Sequence, residues 1–239
     1  MIQFYAPDLE HTLTLPADES AHCVRVLRKK EGDIITVTDG TGYRYECEIT
    51  AAYHKGVSVA IVSRQLIEQH WGVNITLAVA PTKNMDRMEW LVEKAVEIGV
   101  DRIVLLWCEH SERKVVKTER LVKIAVSAMK QSLKTRLPEV TELIRFDDFI
   151  ASVPAGVRMM GYCDCSLPRH EMVGVYTAGN DAVIMIGPEG DFSPSEVARA
   201  MEAGFVPVTM GESRLRTETA ALFGVEAIHI INQLASVRH

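Results

Sequence analysis

Two hydrophobic patterns alternate between residues 71 and 234, and this alternation constrains the fold more than any other feature of the sequence. Short continuous apolar runs, typical of strands buried on both faces, are followed by longer stretches in which apolar residues recur at helical spacing. The runs predict strands at 73–80, 102–106, 157–162 and 182–186, and the helical stretches predict helices at 85–98, 118–134 and 217–234. Strands that alternate with helices predict an α/β domain with a parallel sheet.

Two helices of this region carry clear end signals. Ser193 and Glu196 have the spacing of a capping box, with a proline between them in the first turn, and Gly204 follows where the helix should end. In the first helix of the region, Asn84 is predicted to be the N-cap and Gly99 to end the helix. These signals make the helix after Ser193 the best-defined local element of the sequence.

Residues 1–70 have a different, β-rich pattern. Strands predicted at 33–38 and 43–49 flank the turn sequence Asp-Gly-Thr-Gly, which predicts a hairpin, and 56–62 is a third strand. Residues 20–30 could form one short helix that leads into these strands. We predict a small β-barrel in a domain of residues 1–70 and an α/β domain of residues 71–239, with the boundary near His70.

Composition excludes several protein classes. Apolar residues make up 47% of the chain and charged residues 24%, which is ordinary for a folded globular protein, and the net charge of −6 gives no general positive field. The longest apolar runs fall well short of the ~20 residues that a membrane span needs. The amino terminus has no basic segment followed by an apolar core, so we expect no secretory signal and a cytoplasmic location.

The sequence holds no recognisable metal or nucleoside triphosphate motif. It has no Walker loop, dinucleotide fingerprint, H-E-x-x-H or C-x-x-C pair, which argues against a nicotinamide dehydrogenase. Cys163, Cys165 and His170 could be imagined as zinc ligands, but a lone C-x-C leaves the coordination incomplete. The five cysteines are odd in number and scattered, so we expect free thiols and no metal.

The segment 183–193 runs from a buried strand through a glycine-rich turn into the capped helix. Ligands of open α/β sheets gather at such strand ends. Gly187 and Gly190 lack side chains, so backbone groups there could approach a base or a sugar closely. The alternative is a tight strand-to-helix turn without a ligand.

A second polar loop, residues 208–220, joins a strand end to the last helix. Arg214 and Arg216 could hold a phosphate or stabilise an anion formed on a substrate. Thr217 or Thr219 can cap the helix, and Glu218 favours its positive end. The alternative is a solvated charged turn.

The third candidate is basic and lies in the first domain. Arg25, Arg28, Lys29 and Lys30 form a local cluster in a segment that is otherwise acidic. The cluster could contact nucleic-acid phosphates. The alternative is a solvated helix face.

These motifs together resemble the RsmE family of ribosomal RNA uridine-N3 methyltransferases, which belongs to the knotted SPOUT superfamily. The resemblance rests on Ile186-Gly187-Pro188-Glu189-Gly190 with Phe192, Ser193 and Glu196, and on Leu215-Arg216-Thr217-Glu218-Thr219-Ala220. It extends over nearly the whole chain through these residues: His22, Val26, Leu27, Arg28, Lys83, Arg87, Trp90, Glu93, Lys94, Glu97, Gly99, Ser111, Glu112, Arg113, Gln131, Ser132, Arg136 and Pro138.

The resemblance implies an amino-terminal PUA-like β-barrel that binds RNA and a SPOUT domain whose trefoil knot binds S-adenosylmethionine. It also implies a homodimer that acts on 16S ribosomal RNA, in the assembled small subunit. Two positions depart from the family pattern: Asp191 replaces a third glycine, and Ser213-Arg214 replaces an arginine followed by an apolar residue. These departures leave open which arginine faces the substrate.

The resemblance also assigns roles to residues of the two loops. We expect Arg216 to stabilise the uridine anion, and Glu218 to orient that arginine or accept the proton. Arg25, Arg28 and Lys30 are the expected RNA contacts. The expected cofactor-binding residues are Gly161, Ile186, Gly187, Pro188, Glu189, Gly190, Met210, Gly211, Ser213 and Leu215. Alternative functions are a SPOUT methyltransferase for another RNA and a non-catalytic RNA-binding assembly factor.

Overall fold

The computed structural model describes residues 2–53, 55–164 and 167–237. Cys165, one of the imagined zinc ligands, lies outside the described residues. The chain divides into two compact units, of which the first comprises residues 1–70 with 126–137 and the second comprises 71–125 with 138–239.

The first unit is built on a four-stranded sheet in the order β1-β2-β3-β4. The strands are β1 Gln3–Tyr5, β2 Ile34–Thr38, β3 Tyr43–Tyr53 and β4 Gly56–Leu66. The predicted hairpin is confirmed, since β2 pairs antiparallel with β3, while β1 runs parallel to β2. Alternate residues of the strands, such as Tyr45, Cys47 and Ile49, are buried in one hydrophobic core.

The helical segment of the first unit differs from the single helix predicted at 20–30. Helix α1 spans Leu9–Thr12, α2 spans Ala17–Ala21, and a π-helical turn follows over His22–Val26. The helical path ends at Leu27 because Arg28 has a φ of 55°, in the left-handed region that cannot continue a right-handed helix.

Residues 126–137 join the first unit through the backbone of a loop. The side chain of Gln3 donates to the carbonyl of Lys134 at 2.7 Å, and the backbone N–H of Gly42 donates to the carbonyl of Thr135 at 2.9 Å. The hydroxyl of Thr38 also donates to the Thr135 carbonyl, at 3.1 Å. These bonds satisfy loop carbonyls that would otherwise lack partners.

The second unit contains a seven-stranded sheet in the order β7-β6-β5-β10-β8-β11-β9. Its strands are β5 Ile75–Val79, β6 Arg102–Trp107, β7 Glu139–Arg145, β8 Val157–Gly161, β9 His170–Glu171, β10 Ala182–Ile186 and β11 Val206–Thr209. All the pairings are parallel, which confirms the predicted sheet type. Every residue of β5 and β10 is buried, which explains their continuous apolar sequences.

The later helices are α3 Met85–Ile98, α4 Thr118–Gln131, α5 Phe146–Ala151, α6 Met172–Val175, α7 Pro194–Glu202 and α8 Thr217–Ser236. The predicted end signals are confirmed. Asn84 accepts a hydrogen bond from the backbone of Asp86, and Ser193 and Glu196 form the complete capping box. Helix α4 ends three residues earlier than predicted, and Leu133 beyond it has a φ of 57°.

The sheet order brings three strand ends together. β8 lies between β10 and β11, and Gly161 at its end pairs with Ile186 on one side and with Val208 on the other. The loops that follow these strands therefore leave the sheet side by side. Within the described residues, the structure contains no helix that meets the length and hydrophobicity of a membrane span.

Candidate functional site

A cavity of about 730 Å³ lies at the carboxyl ends of β8, β10 and β11. All ten residues predicted to bind a cofactor line it, as do Arg216 and Glu218. Arg214, the other arginine expected to hold a phosphate or an anion, also lines the cavity. So do residues that were not predicted to bind a ligand: Arg87, Tyr162, Cys163, Asp164, Arg169, Asp191, Val208, Thr209, Glu212, Thr217 and Ala220. Three loops that are separate in sequence thus meet at one place, and Arg87 of α3 joins them.

Packing within the loop after β10 explains its two glycines. A Cβ atom on Gly187 would lie 3.1 Å from the ring of Phe192, and one on Gly190 would lie 3.2 Å from Cβ of His110. The His110 ring also bonds through Nδ1 to the carbonyls of Gly190 and Asp191, at 3.2 and 3.1 Å. Both glycines therefore let the loop pack closely against protein atoms, which differs from the close ligand approach inferred from the sequence.

The backbone conformation and hydrogen bonds of Asp191 explain why an aspartate stands where the family pattern has a glycine. Its φ of 62° lies in the left-handed region, where glycine is favoured and aspartate is tolerated. Its carboxylate accepts hydrogen bonds from the backbone N–H groups of Phe192 at 2.8 Å and Cys163 at 3.0 Å. The second bond links the loop after β10 to the loop after β8, so this aspartate adds a contact that a glycine could not make.

Glu189 links the same loop to the start of α3. Its carboxylate accepts a hydrogen bond from the backbone N–H of Lys83 at 3.0 Å. Arg113 donates to the carbonyls of Thr82, at 3.2 Å, and Lys83. The Lys83 side chain pairs with Glu112 at 3.0 Å, but both side chains are well exposed. The backbone contacts therefore fix the segment before α3 relative to the cavity.

Helix α8 begins at the edge of the cavity. Arg216 occupies the N-cap position with extended backbone and makes no capping bond through its side chain, so neither predicted threonine is the N-cap. Thr217 instead bonds weakly, at 3.5 Å, to the carbonyl of Gly187. Arg214 and Arg216 are both exposed, whereas Glu218 is buried in the first turn. The lining of the cavity thus includes two exposed arginines and one buried carboxylate.

Glu218 pairs with Arg87, which was not among the predicted catalytic or cofactor-binding residues. Its Oε1 atom lies 3.6 Å from Nε of Arg87, and the side chains are 9% and 40% exposed, respectively. The predicted partner was Arg216. Arg87 comes from the first part of α3, and α3 packs against α8.

Cys163 and Cys108 of the second unit differ in exposure. Cys163 lines the cavity and is exposed. Cys108 is buried, and this burial raises the pKa of its thiol well above the ordinary value, with a further contribution from the Glu196 carboxylate. Cys108 therefore stays protonated at neutral pH and is a residue of the hydrophobic core.

The predicted RNA contacts lie in the first unit. Arg25, Arg28 and Lys30 are exposed. The backbone N–H of Lys30 donates to the Asp33 carboxylate at 2.8 Å, which fixes the turn. Among the residues that the structure describes, none of these three side chains forms an ion pair within 4.0 Å. Their charges are available to a ligand.

Comparison with known proteins identifies the family. Residues 69–229 match the family model described as an RNA methyltransferase domain, and residues 15–62 match the model of the RNA methyltransferase PUA domain. The chain belongs to the RNA methyltransferase family. The resemblance inferred from the sequence motifs is therefore confirmed, and so are the PUA domain and the assignment as an enzyme.

Relatives of this RNA methyltransferase match it along nearly their full length. It is 27% identical over 241 residues to "Ribosomal RNA small subunit methyltransferase E" of Bacillus subtilis, covering 93% of this chain and 91% of the relative. The crystal structure of a "probable rRNA-methyltransferase" from Porphyromonas gingivalis is 47% identical, with a TM-score of 0.94 and coverage of 98% and 100%. That of the small subunit methyltransferase E from Neisseria gonorrhoeae, bound to S-adenosyl methionine, is 29% identical, with a TM-score of 0.80 and coverage of 97% and 98%.

Two lining arginines of the RNA methyltransferase were missed as site residues. Arg87 belonged to the family motif, but only its contact with Glu218 shows that α3 reaches the cavity. Arg169 donates to the carbonyls of Tyr162 and Cys163, at 3.2 and 3.0 Å. The contact between Arg87 and Glu218 joins two segments that are distant in sequence, whereas Arg169 turns back to carbonyls six and seven residues before it. No spacing in the sequence indicates either contact.

Proposed function

We propose that this RNA methyltransferase transfers a methyl group from S-adenosylmethionine to N3 of a uridine in 16S ribosomal RNA of the small ribosomal subunit. The observation that supports the proposal most strongly is the convergence of all twelve predicted cofactor and catalytic residues on one cavity. The names of the relatives, which specify the small subunit and S-adenosyl methionine, support the same substrate and cofactor.

The cavity suits S-adenosylmethionine in size and chemistry. Its volume of about 730 Å³ falls in the range of small-molecule sites. Apolar side chains of Ile186, Met210 and Leu215 can cover the adenine face, and backbone groups of the three loops can bind its edge. When bound, the cofactor supplies an electrophilic methyl group whose former bonding electrons remain on sulfur after transfer.

The chain's contribution to the reaction follows from the chemistry of N3. Neutral uridine carries a proton there, so an electron pair becomes available only when that proton leaves to solvent. Arg216 lowers the cost of this ionisation, because a guanidinium near a pyrimidine oxygen stabilises the negative charge that develops. The electron pair on N3 then forms the bond to the methyl carbon. Glu218 orients an arginine in this scheme, and its ion pair with Arg87 supports that role.

RNA binding is assigned to the first unit. Arg25, Arg28 and Lys30 are exposed basic residues in the PUA domain and are proposed to contact backbone phosphates. A target uridine inside a duplex would hide N3 in base pairing, so the substrate nucleotide is unpaired or flipped out. We also propose that residues 1–70 bind RNA and that residues 71–239 transfer the methyl group. The trefoil knot and the cytoplasmic location belong to the same proposal.

The proposed assembly is a homodimer that acts on the assembled small subunit. An apolar groove of about 490 Å³ runs along α8 and contains exposed Phe223, Ile230 and Leu234. Large exposed apolar side chains in a row are typical of protein interfaces. A second copy of this chain is the occupant that the family resemblance implies.

The test is methyl transfer from labelled S-adenosylmethionine to small ribosomal subunits that lack the modification, alongside free ribosomal RNA and transfer RNA. We expect label in the small-subunit RNA. Label only in transfer RNA would replace the proposed substrate with another RNA. Cofactor binding without transfer to any RNA would instead favour a non-catalytic assembly factor.

A further inference from the structure

Helix α3 contributes one residue to the lining of the cavity, Arg87, which lies outside the three loops. All the other described residues that line the cavity lie between Gly161 and Ala220. If the loops bind the cofactor, the side formed by α3 is left for the substrate. Arg87 is therefore placed where the target nucleotide would enter.

Contacts made by residues before and after Arg87 in the sequence fix its position. Before it, the Asn84 cap sets the start of α3, and Glu189 and Arg113 hold the backbone at Lys83. After it, α3 buries an apolar face that includes Met88. A site residue on a rigid helix is located more precisely than one on a loop.

The Arg87 guanidinium retains donors for a ligand. It has five N–H donors, of which Nε faces the Glu218 carboxylate at 3.6 Å, longer than an ordinary hydrogen bond. Within the part of the chain that the structure describes, the Arg87 side chain makes no hydrogen bond. The side chain is 40% exposed, so these donors can reach an oxygen of a bound substrate.

Glu218 is placed to orient the arginine. Its buried carboxylate lies in the first turn of α8, with Oε1 3.6 Å from Nε of Arg87. This position limits the directions in which the Arg87 side chain can point.

The same side of α3 also presents an aromatic surface. Trp90 follows Arg87 by three residues, a spacing that places two side chains on neighbouring positions of one helix face. The indole is 46% exposed. Exposed aromatic rings beside cationic groups are typical of surfaces on which unpaired bases stack. This observation favours RNA over the cofactor as the ligand of Arg87.

We propose that Arg87 contacts the target uracil and stabilises the anion formed when N3 loses its proton, and that Glu218 is the positioning residue for Arg87. The inference rests on the proposed function, since it assumes a uridine substrate. It adds a second guanidinium to the predicted Arg216, contributed by a different element of the fold.

The test compares Arg87→Ala, Arg87→Lys, Glu218→Gln and the double variant Arg87→Ala/Glu218→Gln with the wild type in single-turnover methylation of small subunits. Arg120→Ala is the matched control, because Arg120 pairs with Glu89 of α3 at 2.6 Å but does not line the cavity. Calorimetry measures S-adenosylmethionine affinity of each variant, and thermal unfolding checks that each is folded.

We expect Arg87→Ala to lower the single-turnover rate about 100-fold, as loss of one preorganised anion-stabilising group does. The affinity for S-adenosylmethionine should stay within about twofold, and Arg87→Lys should recover part of the rate as a point charge. The double variant should be no slower than Arg87→Ala, because Glu218 acts through Arg87. The rise of rate with pH should move to higher pH in Arg87→Ala, since the uracil anion is less stabilised.

Three results would overturn the inference. An Arg87→Ala rate equal to that of Arg120→Ala would show that Arg87 has no part in the reaction. Loss of S-adenosylmethionine affinity would make Arg87 a cofactor ligand, and additive losses in the double variant would make Glu218 independent of it. Failure of the proposed function is distinguishable, because the wild type itself would then not methylate uridine N3.

Discussion

The carboxylate of Asp191 accepts a hydrogen bond from the backbone N–H of Cys163 at 3.0 Å, which joins two of the three loops around the cavity. The loops follow β10 and β8, whose ends are adjacent in the sheet. This bond and the left-handed backbone of Asp191 together explain why an aspartate can replace the glycine of the family pattern.

Substitution of Asp191 should therefore weaken the connection between these two loops. Asp191→Ala removes two charge-assisted hydrogen bonds, and alanine tolerates a positive φ less well than aspartate, so we expect a loss of about 2 to 4 kcal/mol in unfolding free energy. Asp191→Gly also removes the two hydrogen bonds, but glycine adopts a positive φ without strain. Its loss of unfolding free energy should therefore be smaller than that of Asp191→Ala. Urea denaturation measures both, and equal stability of the wild type and Asp191→Ala would contradict the account.

Substitution of Gly190 should disrupt the same loop through His110. The methyl groups of Gly190→Val would overlap the His110 side chain, since even a Cβ atom comes within 3.2 Å of it. We expect S-adenosylmethionine affinity to fall at least about 100-fold. Adding His110→Gly to the same chain should restore part of the affinity by making space. Undiminished calorimetric binding by a folded Gly190→Val protein would contradict the packing explanation.

The apolar groove along α8 should be buried between two copies. Ile230→Asp places a charge at an exposed apolar position of this groove, so we expect a shift from dimer to monomer in light scattering at micromolar concentration. Val115→Asp is the control, because Val115 is also exposed but lies outside the groove. A monomeric wild type, or an Ile230→Asp protein that remains dimeric, would remove the groove as the interface.

The basic residues of the first unit should make RNA binding depend on salt. Each phosphate contact contributes about 0.7 to 0.9 to the slope of log affinity against log salt concentration. Arg28→Ala should reduce the slope by about that amount and weaken binding at low salt. Lys55→Ala, at another exposed position of the same unit, should leave the slope unchanged. Identical slopes for wild type and Arg28→Ala would exclude Arg28 as a phosphate contact.

Stability should fall in alkaline solution because of a buried thiol. Burial, with a smaller effect of the Glu46 carboxylate, raises the pKa of Cys47 from 9.0 to about 11. Above pH 9 the unfolded chain loses this proton while the folded chain keeps it, so unfolding becomes easier as pH rises. By pH 11 the loss reaches about 2 to 3 kcal/mol. Cys47→Ala should show a shallower decline between pH 9 and 11, and an unchanged decline would contradict the assignment.

Sequence patterns predicted the elements whose signals are local. The fully apolar β10 was predicted with its exact bounds, and α7 followed from the capping box of Ser193 and Glu196. These signals arise from burial and hydrogen bonding within a few residues. Short β9 and edge strand β7 escaped prediction because brief or partly exposed strands have weak hydrophobic periodicity.

Long-range contacts could not be predicted in the same way. The membership of residues 126–137 in the first unit depends on hydrogen bonds such as that from the Gln3 side chain to the Lys134 carbonyl. The Arg87–Glu218 pair likewise joins two helices that are distant in sequence. Motif resemblance named the residues of the candidate site, but only the folded chain shows which of them face one another.

Nucleoside mass spectrometry shows whether the chain methylates uridine at N3. Small subunits that lack the modification are incubated with the purified protein and S-adenosylmethionine, and the RNA is digested to nucleosides. We expect N3-methyluridine in the wild-type reaction and a strong reduction with Arg216→Ala. A methyl group on another base or another atom, or an undiminished yield with Arg216→Ala, would exclude the proposed reaction.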